Sequence, residues 1–295
     1  MIAAMRRVQL IQTKSLSKRH PWIYTGAVSG AEKFQKGEIV YLMDKDQCLA
    51  TAYADPGSKI LFRVLEWQET SIDLHWWIHK IERCFRRRKS LLNNHTAFRL
   101  IHAEGEGLAG LVVDYYDGWL CVQAQTEGLA PHLETIIEAL DQVLSPKGIF
   151  EKSDSVYRTR EGNASRVRWL KKSLSQGSTT EPIWVKENQV YYQIDLENGQ
   201  KSGHYCDQRE NRQKVSKYAQ GARVLDLCCN SGGFSLWALL AGASHVTSVD
   251  SSQLALKQLQ ENALKTCADK LPCLETLQLS LTLLNFSEEN SPSEV

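Results

Sequence analysis

Two acidic residues, Asp226 and Asp250, are the side chains of this 295-residue sequence best suited to holding a cofactor. Asp226 closes an apolar run that predicts a strand, and a small-residue turn with paired glycines leads from it into a helix-like run. A second predicted strand, residues 244–249, ends in Asp250. Such a βαβ unit suits an adenosine-type cofactor, because glycines allow the cofactor to approach the backbone closely and the second acid can bind ribose hydroxyls.

The turn between the two predicted strands differs from a dinucleotide-binding turn. It reads Asp226-x-x-x-x-x-Gly232-Gly233-Phe234 and lacks the G-x-G-x-x-G pattern. Its carboxylates would repel a pyrophosphate, whereas they suit a cofactor with a cationic centre and free hydroxyls. Two structural roles remain open, since Asp226 could cap a helix and Asp250 could be an ordinary solvated strand end.

Composition restricts the classes of protein that this sequence can encode. The net charge of +1 means that local patches must carry any nucleic-acid binding, and the first 20 residues are basic and free of acids. No apolar run is long enough to span a membrane. The eight cysteines form no C-x-x-C pair, which predicts neither a metal site nor disulfides and fits a cytoplasmic protein.

Three blocks and a tail are predicted along the chain. Residues 1–69 alternate short strands with turns and predict a small, closed, strand-rich domain. Residues 70–182 predict an α+β domain that opens with a helix at about 71–92 and contains an Asp117-Gly118 hairpin. Residues 183–286 contain the βαβ unit, and residues 287–295 form an acidic, serine-rich tail that predicts disorder.

Several segments, in matching order, resemble the bacterial large-subunit ribosomal RNA cytosine-C5 methyltransferases. They are Leu16 to Tyr24, His102 to Asp114, Phe150 to Asp154, and the most specific one, Asn198 to Arg212. The G-G-F turn with its two acids also resembles the S-adenosylmethionine site of class I methyltransferases. The resemblance implies an α/β and α+β multidomain fold: an N-terminal PUA-like β-barrel, a middle α+β domain and a C-terminal, partial Rossmann-like methyltransferase domain.

The resemblance also implies ligands and site residues. The cofactor would be S-adenosylmethionine and the partner ribosomal RNA, with no role for a membrane. The expected cofactor-binding residues are Tyr205, Gln208, Asp226, Ser231, Gly232, Gly233, Phe234 and Asp250. The expected RNA-binding residues are Lys18, Arg19, His20, Lys201 and Arg209. Two further features have open interpretations: Trp22 is expected to be a core residue rather than a stacking surface, and the basic run 86–89 a solvated helix face rather than a phosphate track.

The sequence departs from the family pattern after residue 265. The family methylates C5 through a cysteine thiolate that adds to C6 of the base. Neither the family's Asp-Pro-Pro motif nor its Thr-Cys-Ser motif occurs here. Cys228 and Cys229 are interpreted as small residues packed beneath the cofactor, and Cys206 as a weak candidate, so no catalytic residue is assigned.

This departure leads to several expectations. The carboxyl end is expected to be replaced or truncated, and the chain as given is expected not to methylate RNA. The alternative functions are a non-catalytic RNA-binding protein or a fragment. The strand that ends near Asp226 would lack a neighbour on one side, which predicts a loosely folded third block, aggregation, or a borrowed strand as in a possible homodimer.

Overall fold

The fold is described from a computed structural model. It describes residues 5–12, 16, 18–28, 33–154, 164–172 and 182–280, so the predicted tail at 287–295 lies outside the described residues. The chain forms two compact units. The first comprises residues 1–183 and 194–204, and the second comprises 184–193 and 205–295. The predicted domain boundaries at 69 and 182 remain predictions.

The first unit opens with a five-stranded sheet of order β1-β3-β4-β5-β2. Its strands are β1 (Arg6–Gln9), β2 (Trp22–Tyr24), β3 (Ile39–Asp44), β4 (Gln47–Ala54) and β5 (Ile60–Glu66). Val40, Leu42 and Phe62 are fully enclosed in its apolar core. Strands β4 and β5 are buried at consecutive positions, so both of their faces are covered. The two edge strands of this sheet are β1 and β2. Just after them, Ile11 N donates to Ala27 O at 2.8 Å, which joins the two edges and curves the sheet toward a closed barrel.

A second five-stranded sheet follows in the same unit, with the order β10-β9-β8-β7-β6. Its strands are β6 (Ala97–His102), β7 (Leu111–Tyr116), β8 (Trp119–Ala124), β9 (Gly148–Ser153) and β10 (Arg166–Lys172). Helices α1 (Leu74–Arg88) and α2 (Leu133–Leu144) share one apolar core with it. The Asp117-Gly118 hairpin is observed, with both residues at positive φ (47° and 89°) as a two-residue turn requires.

Two sequence predictions for this unit need correction. The first helix begins at Leu74 rather than Ser71, because the Asp73 side chain caps it by accepting from Trp76 N at 2.9 Å. Strand β10 was not predicted, since its composition is dominated by charged residues. It forms because Arg166 and Arg168 pair with the buried Glu151 of the neighbouring strand.

The second unit contains a hairpin and a parallel three-stranded sheet of order β13-β14-β15. Its strands are β11 (Ile183–Glu187), β12 (Val190–Ile194), β13 (Arg223–Leu227), β14 (His245–Asp250) and β15 (Leu274–Gln278). Its helices are α3 (Arg209–Ser216), α4 (Gly233–Leu240) and α5 (Gln253–Cys267). Both predicted strands of the βαβ unit are observed, in register from Arg223–His245 to Leu227–Val249. The sequence analysis did not identify β15.

Within the described residues, no helix is both long and apolar enough to cross a membrane.

Candidate cofactor site

Asp226 lies one residue before the end of β13 and faces the following helix. Its Oδ2 accepts from the backbone N of Ser235 at 3.1 Å and from Ser235 Oγ at 2.6 Å. Burial raises the pKa of Asp226, the Ser235 hydrogen bonds oppose that rise, and the charge of Asp250 adds to it. Asp226 therefore fixes the first turn of α4, which is the helix-capping role that the sequence left open.

Asp250 ends the central strand and is 9% exposed. Its Oδ2 accepts from Asn230 N at 2.8 Å and its Oδ1 from Ser252 N at 2.9 Å. One carboxylate thus fixes both the turn after β13 and the start of α5. Each oxygen has one further lone pair, so the group retains the capacity to accept hydrogen bonds from two ligand hydroxyls.

The turn between β13 and α4 is shaped by unusual backbone angles. Cys228 and Asn230 have φ of 58° and 49°, and Gly232 has φ of 82°. A Cβ on Gly232 would lie 2.5 Å from Leu259 Cγ, and a Cβ on Gly233 would lie 2.6 Å from Arg212 Nε. Both glycines are therefore required by packing within the protein. Close approach of a cofactor to them remains a prediction.

The other predicted cofactor residues are distributed around this turn. Ser231 lies within it and Phe234 in the first turn of α4, and both are half-buried. Tyr205 is also half-buried, and its pKa is raised first by burial and then by the charges of Asp207 and Asp250, which places its phenol in the field of the second carboxylate. Gln208 directs its side chain toward Asp207 and Asn211.

A buried ion pair, which the sequence did not indicate, lies beneath the turn. Arg212 donates to both oxygens of Glu187, at 3.0 and 2.7 Å, and to Tyr205 O at 2.8 Å. The two side chains are 4% and 1% exposed. The only sequence signal was the arginine at the end of the Asn198 to Arg212 segment, and nothing in the sequence paired it with Glu187.

Asn262 on α5 is a second residue that sequence analysis missed. It is fully buried, its Oδ1 accepts from Gln193 N at 2.7 Å, and its Nδ2 donates to Ser231 O at 3.0 Å. One amide side chain therefore links the β11–β12 hairpin to the cofactor turn. Its position inside an ordinary amphipathic helix carried no sequence signal.

The cysteines near the turn differ in their environment. Cys229 packs with Leu256 and Leu259, and burial, reinforced by Asp226 and Asp250, raises its pKa to about 12. Its thiol is therefore protonated at neutral pH and is a poor nucleophile, which agrees with its interpretation as a packing residue. Cys228 is exposed, so its interpretation as a packed residue is wrong, and Cys206 is half-buried.

The predicted RNA-binding residues near the amino terminus lie in the first unit. Lys18, Arg19 and His20 are all exposed. Trp22 is half-buried, and its Nε1 donates to Glu104 Oε1 at 2.8 Å. The indole is therefore held by the protein, but Trp22 is not one of the buried core residues, so the expected core role is not observed.

The other basic residues singled out in the sequence are divided between the two units. In the run 86–89, Arg87 and Arg88 both pair with the nearly buried Glu106, so only part of the run is a solvated face. Arg209, in the second unit, pairs with the exposed Glu210 at 2.9 Å. Lys201 belongs to the first unit and is exposed.

The residues at the carboxyl ends of β13 and β14 fit S-adenosylmethionine. Asp226 and Asp250 make the edge acidic, which suits a cationic sulfonium and ribose hydroxyls and disfavours phosphates. Tyr205 adds a partly buried aromatic ring in the same unit. Binding at the carboxyl ends of adjacent parallel strands is also the general rule for open α/β sheets.

This architecture and site match known methyltransferases. A family model for a PUA-like domain matches residues 8–67, and a model for S-adenosylmethionine-dependent methyltransferases matches residues 98–271. The chain therefore belongs to the S-adenosylmethionine-dependent methyltransferases, and S-adenosylmethionine is the cofactor of its family. The predicted fold class is confirmed: a PUA-like domain precedes a methyltransferase fold.

Curated relatives carry a more particular name. The chain is 36% identical over 256 residues to the ribosomal RNA large subunit methyltransferase I of Aeromonas salmonicida, which covers 85% of this chain and 63% of the relative. The protein of that name in Aeromonas hydrophila is also 36% identical, over 85% of this chain and 64% of its own length. The family resemblance is thereby confirmed. The chain spans somewhat less than two thirds of these relatives.

Solved structures agree on the fold. A crystal structure of SMU.776, described as a putative methyltransferase complexed with SAH, superposes with a TM-score of 0.79 at 20% identity, covering 94% of this chain and 71% of that one. A putative SAM-dependent methyltransferase from Streptococcus mutans gives 0.76 at 21% identity, covering 94% and 72%. At these identities the likeness concerns the fold alone.

Proposed function

We propose that this protein takes part in S-adenosylmethionine-dependent methylation of ribosomal RNA, with C5 of a cytosine as the acceptor. The observation that carries the proposal is the pair of carboxylates, Asp226 and Asp250, at the ends of two adjacent parallel strands. The curated relatives, whose name specifies large-subunit ribosomal RNA, support the substrate class. A cytoplasmic location is part of the same proposal.

Each site residue has a proposed role. Asp250 accepts hydrogen bonds from the ribose. Asp226 stabilises the turn and supplies negative charge on the side of the site where the methionine part of the cofactor binds. Tyr205, Gln208, Ser231, Gly232, Gly233 and Phe234 line the cofactor. When bound, S-adenosylmethionine supplies an electrophilic methyl group. Lys18, Arg19, His20, Lys201 and Arg209 bind RNA, where cations contact phosphates and nearby aromatic rings can stack on unpaired bases.

The proposal is tested by cofactor binding and methyl transfer. We expect Asp250→Ala to weaken binding of S-adenosylhomocysteine, measured by calorimetry, about 10- to 100-fold, because hydrogen bonds to a charged group are lost. Asp269→Ala, at an exposed aspartate of the same unit, is the control and should bind normally. Equal binding by both variants would contradict the assignment of the ribose contact.

The same proteins test the chemical step with a labelled methyl group and large-subunit ribosomal RNA. The expectation that the chain as given does not methylate RNA remains a prediction. Transfer that disappears with Asp250→Ala would overturn it and support complete activity in this chain. Transfer that survives Asp250→Ala would indicate a contaminant. The comparisons offer no support for the alternative of a non-catalytic RNA-binding protein.

A homodimer is proposed through β13. Among the described strands only β14 pairs with β13, and an edge of this kind can bind another strand. Because Asp226 faces α4, the alternating Leu225 and Leu227 lie on the opposite face, where they are 62% and 45% exposed. A parallel strand is normally covered on both faces, so self-association would shield both leucines.

Light scattering after size exclusion tests this homodimer. We expect the unmodified protein to be dimeric at micromolar concentration and Leu225→Lys to be monomeric, because a charge would enter the contact. Leu264→Lys replaces an equally exposed leucine on α5 and should leave the dimer intact. Strong hydrogen-exchange protection of the amides from Val224 to Leu227 in a proven monomer would rule out the proposed contact.

A further inference from the structure

A short connecting segment of the first unit, residues 195–204, is held on the middle sheet by two separate sets of hydrogen bonds. This segment contains the Gly199-Gln200-Lys201-Ser202-Gly203 part of the most family-like sequence. Two of the residues that hold it, Asp114 and Lys152, belong to the other two middle-domain segments with family resemblance, and the third, Tyr116, lies two residues after the first of these segments. The structure therefore brings three separately recognised segments into contact within one unit.

The first attachment is at Ser202, which is fully buried. Ser202 Oγ donates to Asp114 Oδ2 and accepts from Tyr116 OH at 2.8 Å. Asp114 is itself enclosed on β7 and receives two hydrogen bonds from Arg99, at 2.9 and 3.1 Å. The serine is thus bound to a carboxylate whose orientation is already set by a bidentate arginine.

The second attachment is at the turn 197–199. Lys152, a lysine only 4% exposed on β9, donates its Nζ hydrogens to the carbonyl oxygens of Glu197 and Gly199. A buried ammonium requires such partners, because an unpaired buried charge is strongly unfavourable. A Cβ on Gly199 would lie 2.4 Å from Asp195 O, so the turn is tightly closed on itself as well.

Lys201 lies between these two attachments and is exposed. Its φ of 52° is in the left-handed region, which a lysine adopts only when its surroundings impose it. A glycine would occupy this position with less strain. The two attachments thus hold an exposed lysine in a backbone conformation that the residue itself disfavours.

We propose that Asp114, Tyr116 and Lys152 are positioning residues that hold Lys201 for contact with a phosphate of the RNA backbone. The inference rests on the proposed RNA-binding function and adds to it the residues that orient one cation. Fixing the segment at both sides of Lys201 lowers the entropy that would be lost when a flexible loop binds RNA. Asp114 and Lys152 act through the loop and touch no RNA.

The test uses the full chain, a structured fragment of large-subunit ribosomal RNA and filter binding over a series of salt concentrations. We expect Lys201→Gly to weaken binding about 3- to 10-fold and to reduce the salt slope by about one, as for one lost phosphate contact. Lys45→Gly is the matched control, since Lys45 is also exposed and has φ of 54°. Both changes relieve left-handed strain, but only the first should affect RNA binding.

The positioning role is tested by a double-mutant cycle between Lys201→Gly and Ser202→Ala. Ser202→Ala removes the loop attachment and leaves the Arg99–Asp114 pair in place; Tyr116→Phe is a milder second variant. As a single change, Ser202→Ala is expected to lower both the affinity for RNA and the salt slope. In the Lys201→Gly background, Ser202→Ala should have no further effect. Additive losses, or a Ser202→Ala protein with an unchanged salt slope, would overturn the positioning role.

Failure of the wider proposal has a different signature. If the unmodified protein binds the RNA fragment with an affinity that does not change with salt, phosphate binding itself is contradicted. If the unmodified protein shows the salt dependence and Lys201→Gly matches Lys45→Gly, RNA binding stands and only the assignment of Lys201 and its positioning residues is overturned.

Discussion

Arg212→Leu is expected to destabilise the second unit by about 3 to 5 kcal/mol, because Glu187 would be left as a buried charge without its partner. The carbonyl oxygen of Tyr205 would lose its donor in the same step. Arg212 packs directly against the cofactor turn, because a Cβ at Gly233 would lie 2.6 Å from Arg212 Nε. We therefore expect the turn to lose its conformation when the second unit is destabilised. Affinity for S-adenosylhomocysteine is therefore expected to fall although Arg212 itself has no assigned contact with the cofactor.

The matched control is Arg209→Leu on the same helix. Arg209 pairs with Glu210, and their side chains are 20% and 69% exposed; an ion pair that is open to solvent on one side contributes about 0 to 1 kcal/mol. Hydrogen exchange of the β14 amides is the measurement, because it reports on the second unit separately from the first. The double variant Glu187→Leu/Arg212→Leu should recover much of the loss. Equal protection in Arg212→Leu and Arg209→Leu would contradict the importance of the buried pair.

Gly232→Ala is expected to destabilise the second unit by about 2 to 5 kcal/mol. About 1 to 2 kcal/mol arises from forcing an alanine to φ of 82°. The remainder, about 1 to 3 kcal/mol, comes from overpacking, since the new Cβ would lie 2.5 Å from Leu259 Cγ and 2.7 Å from its Cδ1. The turn can relieve this overlap only by moving away from α5.

Gly221 provides the control for this prediction. It also has a positive φ, 69°, but a Cβ there would meet nothing within 4 Å. Gly221→Ala should therefore show only the backbone effect, about 1 to 2 kcal/mol. The difference in unfolding free energy between the two variants, followed through the exchange of β14 amides, isolates the overlap with Leu259. A Gly232→Ala protein no less stable than Gly221→Ala would show that the turn is not packed against α5 as described.

The sequence by itself determined the class of the protein and the location predicted for its cofactor site. A strand that ends at an acid, a glycine turn and a second strand ending in an acid form a local pattern, and backbone geometry obliges such a pattern to bring both acids to one edge of a parallel sheet. The Asp117-Gly118 turn was equally predictable, because its two residues need positive φ. A feature could be predicted from the sequence wherever the residues that determine it are neighbours in the chain.

The tertiary structure alone decided which distant residues support that site. Glu187 pairs with Arg212 across 25 positions, and Asn262 reaches Ser231 across 31; no local pattern marks either. Strand β10 escaped prediction for the same reason, since its arginines become acceptable in a sheet only beside the buried Glu151. Ser202 and Asp114 are 88 positions apart. Burial of charge requires a partner, and which partner it finds is decided by the fold and not by the neighbouring sequence.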